Sequence, residues 1–324
     1  MPFRLPYVDF VPMRKTPRAS AFLRGSALLI VLWAVAMMSM TVLGVVEYVH
    51  YDLEETTSLE KDFRVRQLAE AGVAIGMHPL ITKRDSLLSQ TMTPDEKFQV
   101  YLRSEGSRLN INTIVQGQQW QILHDLCVVW GLKESDAADV ASDFQTWTQA
   151  EKWAELTASQ SRVSGFVVTS HQQGTLLPSH VFQSIEEMLL IPGMKLLAGA
   201  QPEWRNYFTI WSDGGLDMNE ASADLIAAVC GIGEAEAQRF VNVRLGPDGK
   251  ADTEDDVIYQ NMDQVRQSLG MSANDFQRIQ GRLSLQDSVT RIESNGIVGT
   301  YQRKIMVVVR RASTPPVYLQ WQEL

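Results

Sequence analysis

One stretch of the chain has almost no polar positions. Ala27 to Val46 reads ALLIVLWAVAMMSMTVLGVV, twenty residues without a charge, with Ser39 and Thr41 its only hydroxyls. At about 1.5 Å per residue, a helix of that length spans roughly 30 Å, one hydrocarbon core. A helix buried in a globular core normally keeps a polar face, so the pattern predicts one transmembrane span. Beyond it the apolar positions fall into a helical period. Val65, Leu68, Gly72 and Ile75 recur at i, i+3, i+7 and i+10, with Glu60, Lys61, Arg64, Arg66 and Glu70 turned elsewhere. Pro79 is the first proline since Pro17, and it is the predicted stop. One helix of about fifty residues, roughly 75 Å long by the helical rise, is expected to begin in a bilayer and finish in a soluble domain.

Near both ends of the soluble region the period changes to two. Tyr301, Arg303, Ile305, Val307 and Val309 alternate with Gln302, Lys304, Met306, Val308 and Arg310, a strand buried on both faces at its end. Asn295-Gly296 and Gly299-Thr300 are expected turns before it. Pro315-Pro316 interrupts, and Val317, Leu319 and Trp321 alternate again. Earlier, Phe98, Val100 and Leu102 alternate likewise, and Glu105-Gly106 turns the chain towards Leu109 and Ile111. Strands early and late, with helices between, predict an α+β fold. Residues 79–112 open an antiparallel sheet, 113–288 form a large inserted α-helical domain, and 289–324 close the sheet.

The insertion repeats itself. Leu109-Asn110-Ile111-Asn112-Thr113 leads to a helix, then Gly131-Leu132-Lys133-Glu134-Ser135-Asp136-Ala137, then a second helix. Leu216-Asp217-Met218-Asn219-Glu220-Ala221 leads to a helix, then Gly231-Ile232-Gly233-Glu234-Ala235-Glu236-Ala237, then another. Asn112 and Asn219 suit helix N-caps, since a short side-chain oxygen accepts an orphan N–H of the first turn. Ile191-Pro192-Gly193-Met194 has the composition of a third hairpin turn. Helix-hairpin-helix units of this kind bind DNA when the turn offers backbone N–H groups to a phosphate. Here Glu234 and Glu236 occupy the approach, and no Lys or Arg lies between Asp217 and Gln238. Packing hairpins, without nucleic acid as partner, are the expectation.

Charge adds an orientation. Residues 1–25 carry Arg4, Arg14, Lys15, Arg18 and Arg24 against Asp9, while the whole 324-residue chain is at −9. The basic flank predicts a cytoplasmic N-terminus, with Glu47, Asp52, Glu54 and Glu55 on the far side. Cleavage by a secretory peptidase at Ala34-Val35-Ala36 would leave too short an apolar core before it, so a signal anchor fits better. With 45% hydrophobic and 21% charged residues, neither disorder nor a multi-span protein fits.

The acidic run from Gly246 to Asp256 carries the most chemical content. Asp248, Asp252, Asp255 and Asp256 repel one another unless solvated or neutralised, and a turn at Gly249 would let them converge on Ca²⁺. The spacing is not that of an EF-hand, and a solvated polar loop is the other reading. No enzyme signature is present. His50, His78, His124, His171 and His180 have no metal-ligand spacing, and there is no Walker loop, nucleophile elbow or dinucleotide fingerprint. No catalytic residue and no small-molecule substrate are expected. Cys127 and Cys230 read as buried free thiols, with a disulfide between them the other possibility.

Arg24-Gly25-Ser26-Ala27-Leu28-Leu29, a basic leader ending in glycine before an apolar helix, resembles a prepilin peptidase site. Type IV pilins and most pseudopilins have glutamate at the fifth mature position. Here that position is Ile30, as is typical of the K-type minor pseudopilin of the type II secretion system, the GspK family. Gln67-Leu68-Ala69-Glu70-Ala71-Gly72-Val73 and Leu109-Asn110-Ile111-Asn112-Thr113 resemble that family's helix end and its strand-to-helix motif. The run from Phe182 to Met194 resembles its most specific internal segment, and Ile305 to Arg311 with Leu319 to Glu323 its terminal strands. Phe144-Gln145-Thr146-Trp147-Thr148-Gln149 and the mature first residue Ser26 depart from the family pattern. The resemblance implies peptidase removal of residues 1–25 between Gly25 and Ser26, and a pilin helix over 26–78 on a pilin-like sheet. It implies a non-enzymatic tip component of the secretion pseudopilus, partnered by I-type and J-type minor pseudopilins. The protein would span the bacterial inner membrane once, with a periplasmic domain in which Ca²⁺ sites are known for pseudopilins as a class. Two other readings remain: a membrane-anchored DNA-uptake protein using its hairpins, and a generic membrane-anchored periplasmic binding protein.

Overall fold

The computed structural model describes residues 22–148, 181–311, 313 and 315–324. The leader up to residue 21, and with it Pro17, lies outside the described residues, as do Gln149, His171 and His180. In chain order the elements are α1 (Phe22–Met77), β1 (Ser89–Thr93), β2 (Glu96–Ser104), β3 (Leu109–Asn110), α2 (Ile111–Gln116), α3 (Trp120–Val129) and α4 (Glu134–Thr148). There follow α5 (Met194–Ala200), β4 (Phe208–Thr209), β5 (Leu216–Asp217), α6 (Ala223–Cys230) and α7 (Glu234–Arg244). Then come α8 (Met262–Leu269), α9 (Ala273–Ile279), β6 (Leu283–Ser284), β7 (Val289–Val298), β8 (Tyr301–Arg310) and β9 (Val317–Glu323). The chain divides into two compact units, residues 1–61 and 62–324.

In the second unit, an antiparallel sheet of order β1-β2-β7-β8-β9 pairs the opening strands with the closing ones. The last turns of α1 lie on it, burying Val65, Leu68, Ala69, Gly72, Val73 and Gly76 while Ile75 is only half-buried. The helix stops at Met77, two residues before Pro79. Arg311 then donates to the carbonyls of His78 (2.5 Å) and Ile81 (2.7 Å), satisfying the chain where it leaves the helix. Phe98, Val100 and Leu102 of β2 meet Ile292, Ile305, Val307 and Val309 beneath the helix, each fully or nearly buried. At about 1.5–3 kcal/mol per buried Val or Leu, Val65, Leu68 and Val73 are the main attachment of α1 to the sheet.

Glycine makes that close approach possible. The predicted turn at Asn295-Gly296 is not a turn: β7 runs through it, with Gly296 paired to Phe98 and Arg303. A Cβ at 296 would collide with the Val65 carbonyl oxygen and lie 2.8 Å from the Ala69 amide nitrogen, so β7 needs glycine where the helix backbone rests on it. The hairpin turn is the other candidate, Gly299-Thr300, where Gly299 has φ +57°. The predicted alternation of Val317, Leu319 and Trp321 is likewise broken. The β8–β9 register shifts between Val308 and Val309, so it is Tyr318 and Trp321 that face Val309 and Val307.

The helical insertion has its own core, distinct from that of the sheet. It is built from two equivalent halves. Each opens with a two-residue strand that is joined, parallel, by the strand closing that half: Leu109 and Asn110 with Phe208 and Thr209, Leu216 and Asp217 with Leu283 and Ser284. The predicted N-caps are corrected. The cap of α2 is Asn110, whose Oδ1 accepts the Asn112 and Thr113 amides, and α6 is preceded by Ser222 with no side-chain cap bond. Asn112 and Asn219 instead clasp distant backbone, in the same way in both halves. Asn112 accepts from the Phe182 amide (2.7 Å) and donates to its carbonyl (3.0 Å). Asn219 accepts from the Tyr259 amide (2.8 Å) and donates to its carbonyl (3.1 Å). Both clasped aromatics are buried. Two residues after each stands an N-cap, Ser184 and Asn261, so the Ile191-Pro192-Gly193-Met194 turn has its counterpart between α8 and α9.

Candidate assembly surfaces and acidic loop

The first unit carries a long apolar helix. Its helix is long and apolar enough to cross a membrane, with no residue of its apolar window buried. Ser39 and Thr41 donate to the carbonyls of Val35 and Met38 (2.8 Å each), so both hydroxyls are satisfied within the helix. Ile30 is exposed and places no carboxylate in this stretch. Gly25 and Ser26 lie in the first turns of α1.

The acidic loop is organised by two influences. Asp252 and Asp256 pair with arginines of the sheet side, Asp252 with Arg103 (2.8 Å) and Asp256 with Arg84 (3.3 Å). Asp248 and Asp255 turn inward on Thr253. Its Oγ1 lies 3.4 Å from Asp248 Oδ1, 2.8 Å from Asp255 Oδ1, 3.5 Å from Asp256 Oδ1 and 3.2 Å from the Lys250 carbonyl. A hydroxyl has one proton to donate, so these oxygens exceed what it satisfies. Hydrogen bonds from Thr253 and from the Asp248 amide hold the Asp255 carboxyl below its usual range. Asp248, Asp255 and Asp256 thus each place an oxygen within 3.5 Å of one hydroxyl, while Asp252 is turned to Arg103. Among the described residues, no group of three His, Cys, Asp or Glu side chains stands as a metal-ligand set.

The turn between α6 and α7 carries glycines and acidic residues. Gly231 closes α6 at φ +64° and Gly233 precedes α7, whose first turn carries Glu234 and Glu236. Arg244, at the far end of α7, is buried and donates to the Met218 carbonyl (3.0 Å). Cys127 and Cys230 are free and buried, and burial pushes both thiols up to about 12, which leaves them unreactive.

Two carboxylates escaped the sequence reading, Glu105 buried and Glu220 half-buried. Glu105, 1% exposed, accepts from Thr209 Oγ1 at 2.6 Å beside Arg108 and Arg291. Glu220 pairs with Lys83 and accepts the Ser104 amide at 2.8 Å. Burial raises the pKa of both, against the lowering effect of Arg291 on Glu105 and of Lys83 on Glu220. Neither position has a local signal for this role, because Thr209 and Arg291 about Glu105, and Lys83 and Ser104 about Glu220, lie a hundred or more residues away. At the sheet's edge, β9 leaves Val317, Tyr318 and Trp321 exposed, while Arg66 holds Glu323 (2.8 Å) and Trp211 Nε1 donates to Gln320 (3.2 Å).

No protein-family model matches the sequence, and no curated protein matches it. Among solved structures, a chain in the crystal structure of the GspK–GspI–GspJ complex from the enterotoxigenic Escherichia coli type 2 secretion system is similar in fold. The likeness has a TM-score of 0.52, covers 85% of this chain and 99% of that one, and comes with 14% sequence identity. The α+β fold is thus similar to that of a chain of that complex.

Proposed function

We propose that this chain is a K-type minor pseudopilin of a type II secretion system, a non-enzymatic protein that assembles with I-type and J-type minor pseudopilins at the pseudopilus tip. The observation that carries the reading is the likeness in fold to nearly all of a chain from the GspK–GspI–GspJ complex. One membrane-length helix near the N-terminus supports it. In this reading the protein sits in the bacterial inner membrane, N-terminus in the cytoplasm and globular domain in the periplasm, and prepilin peptidase cuts between Gly25 and Ser26. A large helical insertion would block another subunit from stacking above it. The missing glutamate fits a first subunit, since that carboxylate normally meets the N-terminal amine of a neighbour already in the fibre, and Ile30 needs no such partner. For the acidic loop we keep Ca²⁺ as the bound ion, with the carboxylates of Asp248, Asp255 and Asp256 as its ligands, supported by the oxygens gathered around Thr253.

Deletion of the gene in its host tests the reading. Secreted proteins should accumulate in the periplasm, and the full-length chain should restore their export. Unimpaired export, together with duplex-DNA binding that weakens steeply with salt, would favour the DNA-uptake reading.

A further inference from the structure

The sheet and the inserted domain meet without a shared apolar core. Among the described residues, the chain passes between them at residues 105–108 and 285–288. Around these crossings the contacts are short polar bonds: Thr209 to Glu105 (2.6 Å), the Ser104 amide to Glu220 (2.8 Å), and the Asp213 amide to Asp287 (2.9 Å). Beside them the two bodies part to leave a cleft of about 1120 Å³, bounded by Ser107 and Asp287 of the crossings on one side and by Arg84, Arg103, Asp252 and Asp256 on the other. Four ion pairs are described between the bodies: Lys83–Glu220, Arg84–Asp256, Arg103–Asp252 and Arg310–Asp213. In all four the cation belongs to the sheet side and the acid to the insertion. Two of the four fall on the acidic loop, with Arg84 and Arg103 about one-third exposed, so salt can reach them. Asp252 makes its pair from the left-handed region, at φ +68°.

We propose that the acidic loop, residues 246–256, is an electrostatic strap that holds the inserted domain closed against the sheet. The crossings at 105–108 and 285–288 are the pivot, and rising ionic strength releases the strap. When charged groups of a partner replace those of the loop, the insertion is free to reset its angle on the pilin-like core.

The test uses the full chain in detergent micelles, spin-labelled at Lys97→Cys on β2 and Asp263→Cys on α8, both exposed positions. Both native thiols are first replaced, in a Cys127→Ala, Cys230→Ala background, so that only the introduced cysteines take the label. Distances are read by double electron–electron resonance at low salt and at about 1 M NaCl, where the screening length falls to roughly 3 Å. The proposal expects a longer and broader distribution at high salt. It expects the same distribution at low salt in Arg84→Gln with Arg103→Gln. Arg64→Gln, which removes a pair with Glu96 inside the sheet unit, should leave it unchanged. A distribution that stays narrow under high salt and in the double variant overturns the strap. So does movement of a label at Glu254→Cys, on the loop, while the α8 label stays in place.

Discussion

Gly296→Ala should loosen α1 from the sheet, and the size of the effect can be worked from the contacts. The new methyl would meet the Val65 carbonyl and the Ala69 amide, both backbone atoms of α1, so no side-chain rotation relieves it. The helix must lift by roughly an ångström, and overpacking of this kind costs about 1–3 kcal/mol. A gap of 0.5–1 Å also forfeits roughly a quarter to a half of each contact's dispersion energy across Val65, Leu68 and Val73. The expected loss is about 3 kcal/mol, or roughly 6–12 °C in the melting midpoint of a unit this large. Near-UV circular dichroism of the full chain during heating reads it. Gly199→Ala is the control, because no atom lies within 4 Å of its added Cβ and its φ is not in the left-handed region. It should be neutral or stabilising by up to about 1 kcal/mol. An unchanged midpoint for Gly296→Ala would refute the argument that glycine is there to admit the helix.

Intact-mass analysis of the membrane-extracted protein should give a chain beginning at Ser26; Met1 retained in cells with active prepilin peptidase would contradict the processing reading. Burial raises the Glu105 pKa above 4.5, so the folded state binds its proton more readily than the unfolded state. Glu105 therefore adds stability as pH falls from 7 through its folded pKa, and this is lost again as pH rises; wild type should gain on Glu105→Gln over that window, and a constant difference in midpoint would contradict it. Millimolar Ca²⁺, the range of roughly 0.1–1 mM sites, should raise the midpoint more than Mg²⁺ does, and Asp248→Ala with Asp255→Ala should remove the shift. A wild-type midpoint indifferent to Ca²⁺ would leave the loop balanced by Arg84 and Arg103 alone.

What the sequence made legible was what local periodicity encodes. The apolar run, the stop before Pro79, the alternation of Phe98, Val100 and Leu102 and the strand from Tyr301 all follow from side chains a few residues apart. Most of the failures share a cause, a partner far along the chain. Asn295-Gly296 has turn composition, yet its glycine answers to Val65 and Ala69. Asn112 and Asn219 have cap chemistry, yet they clasp Phe182 and Tyr259. The short edge strand β1, reading Ser-Gln-Thr-Met-Thr, has no apolar alternation to announce it. Four neighbouring aspartates invite a cation, but whether they converge depends on where Arg84 and Arg103 stand, and nothing near residue 250 records that. The repeat was visible in its glycines and asparagines. Its second half of each copy, from Phe182 and from Tyr259, became apparent only through the hydrogen bonds.

The central claim is partnership with other minor pseudopilins, and co-purification tests it most directly. The tagged full chain, co-expressed with I-type and J-type minor pseudopilins and extracted from membranes in mild detergent, should carry both through affinity and size-exclusion steps as one complex. Elution of the chain alone, with both partners well expressed and absent from its peak, would contradict the account.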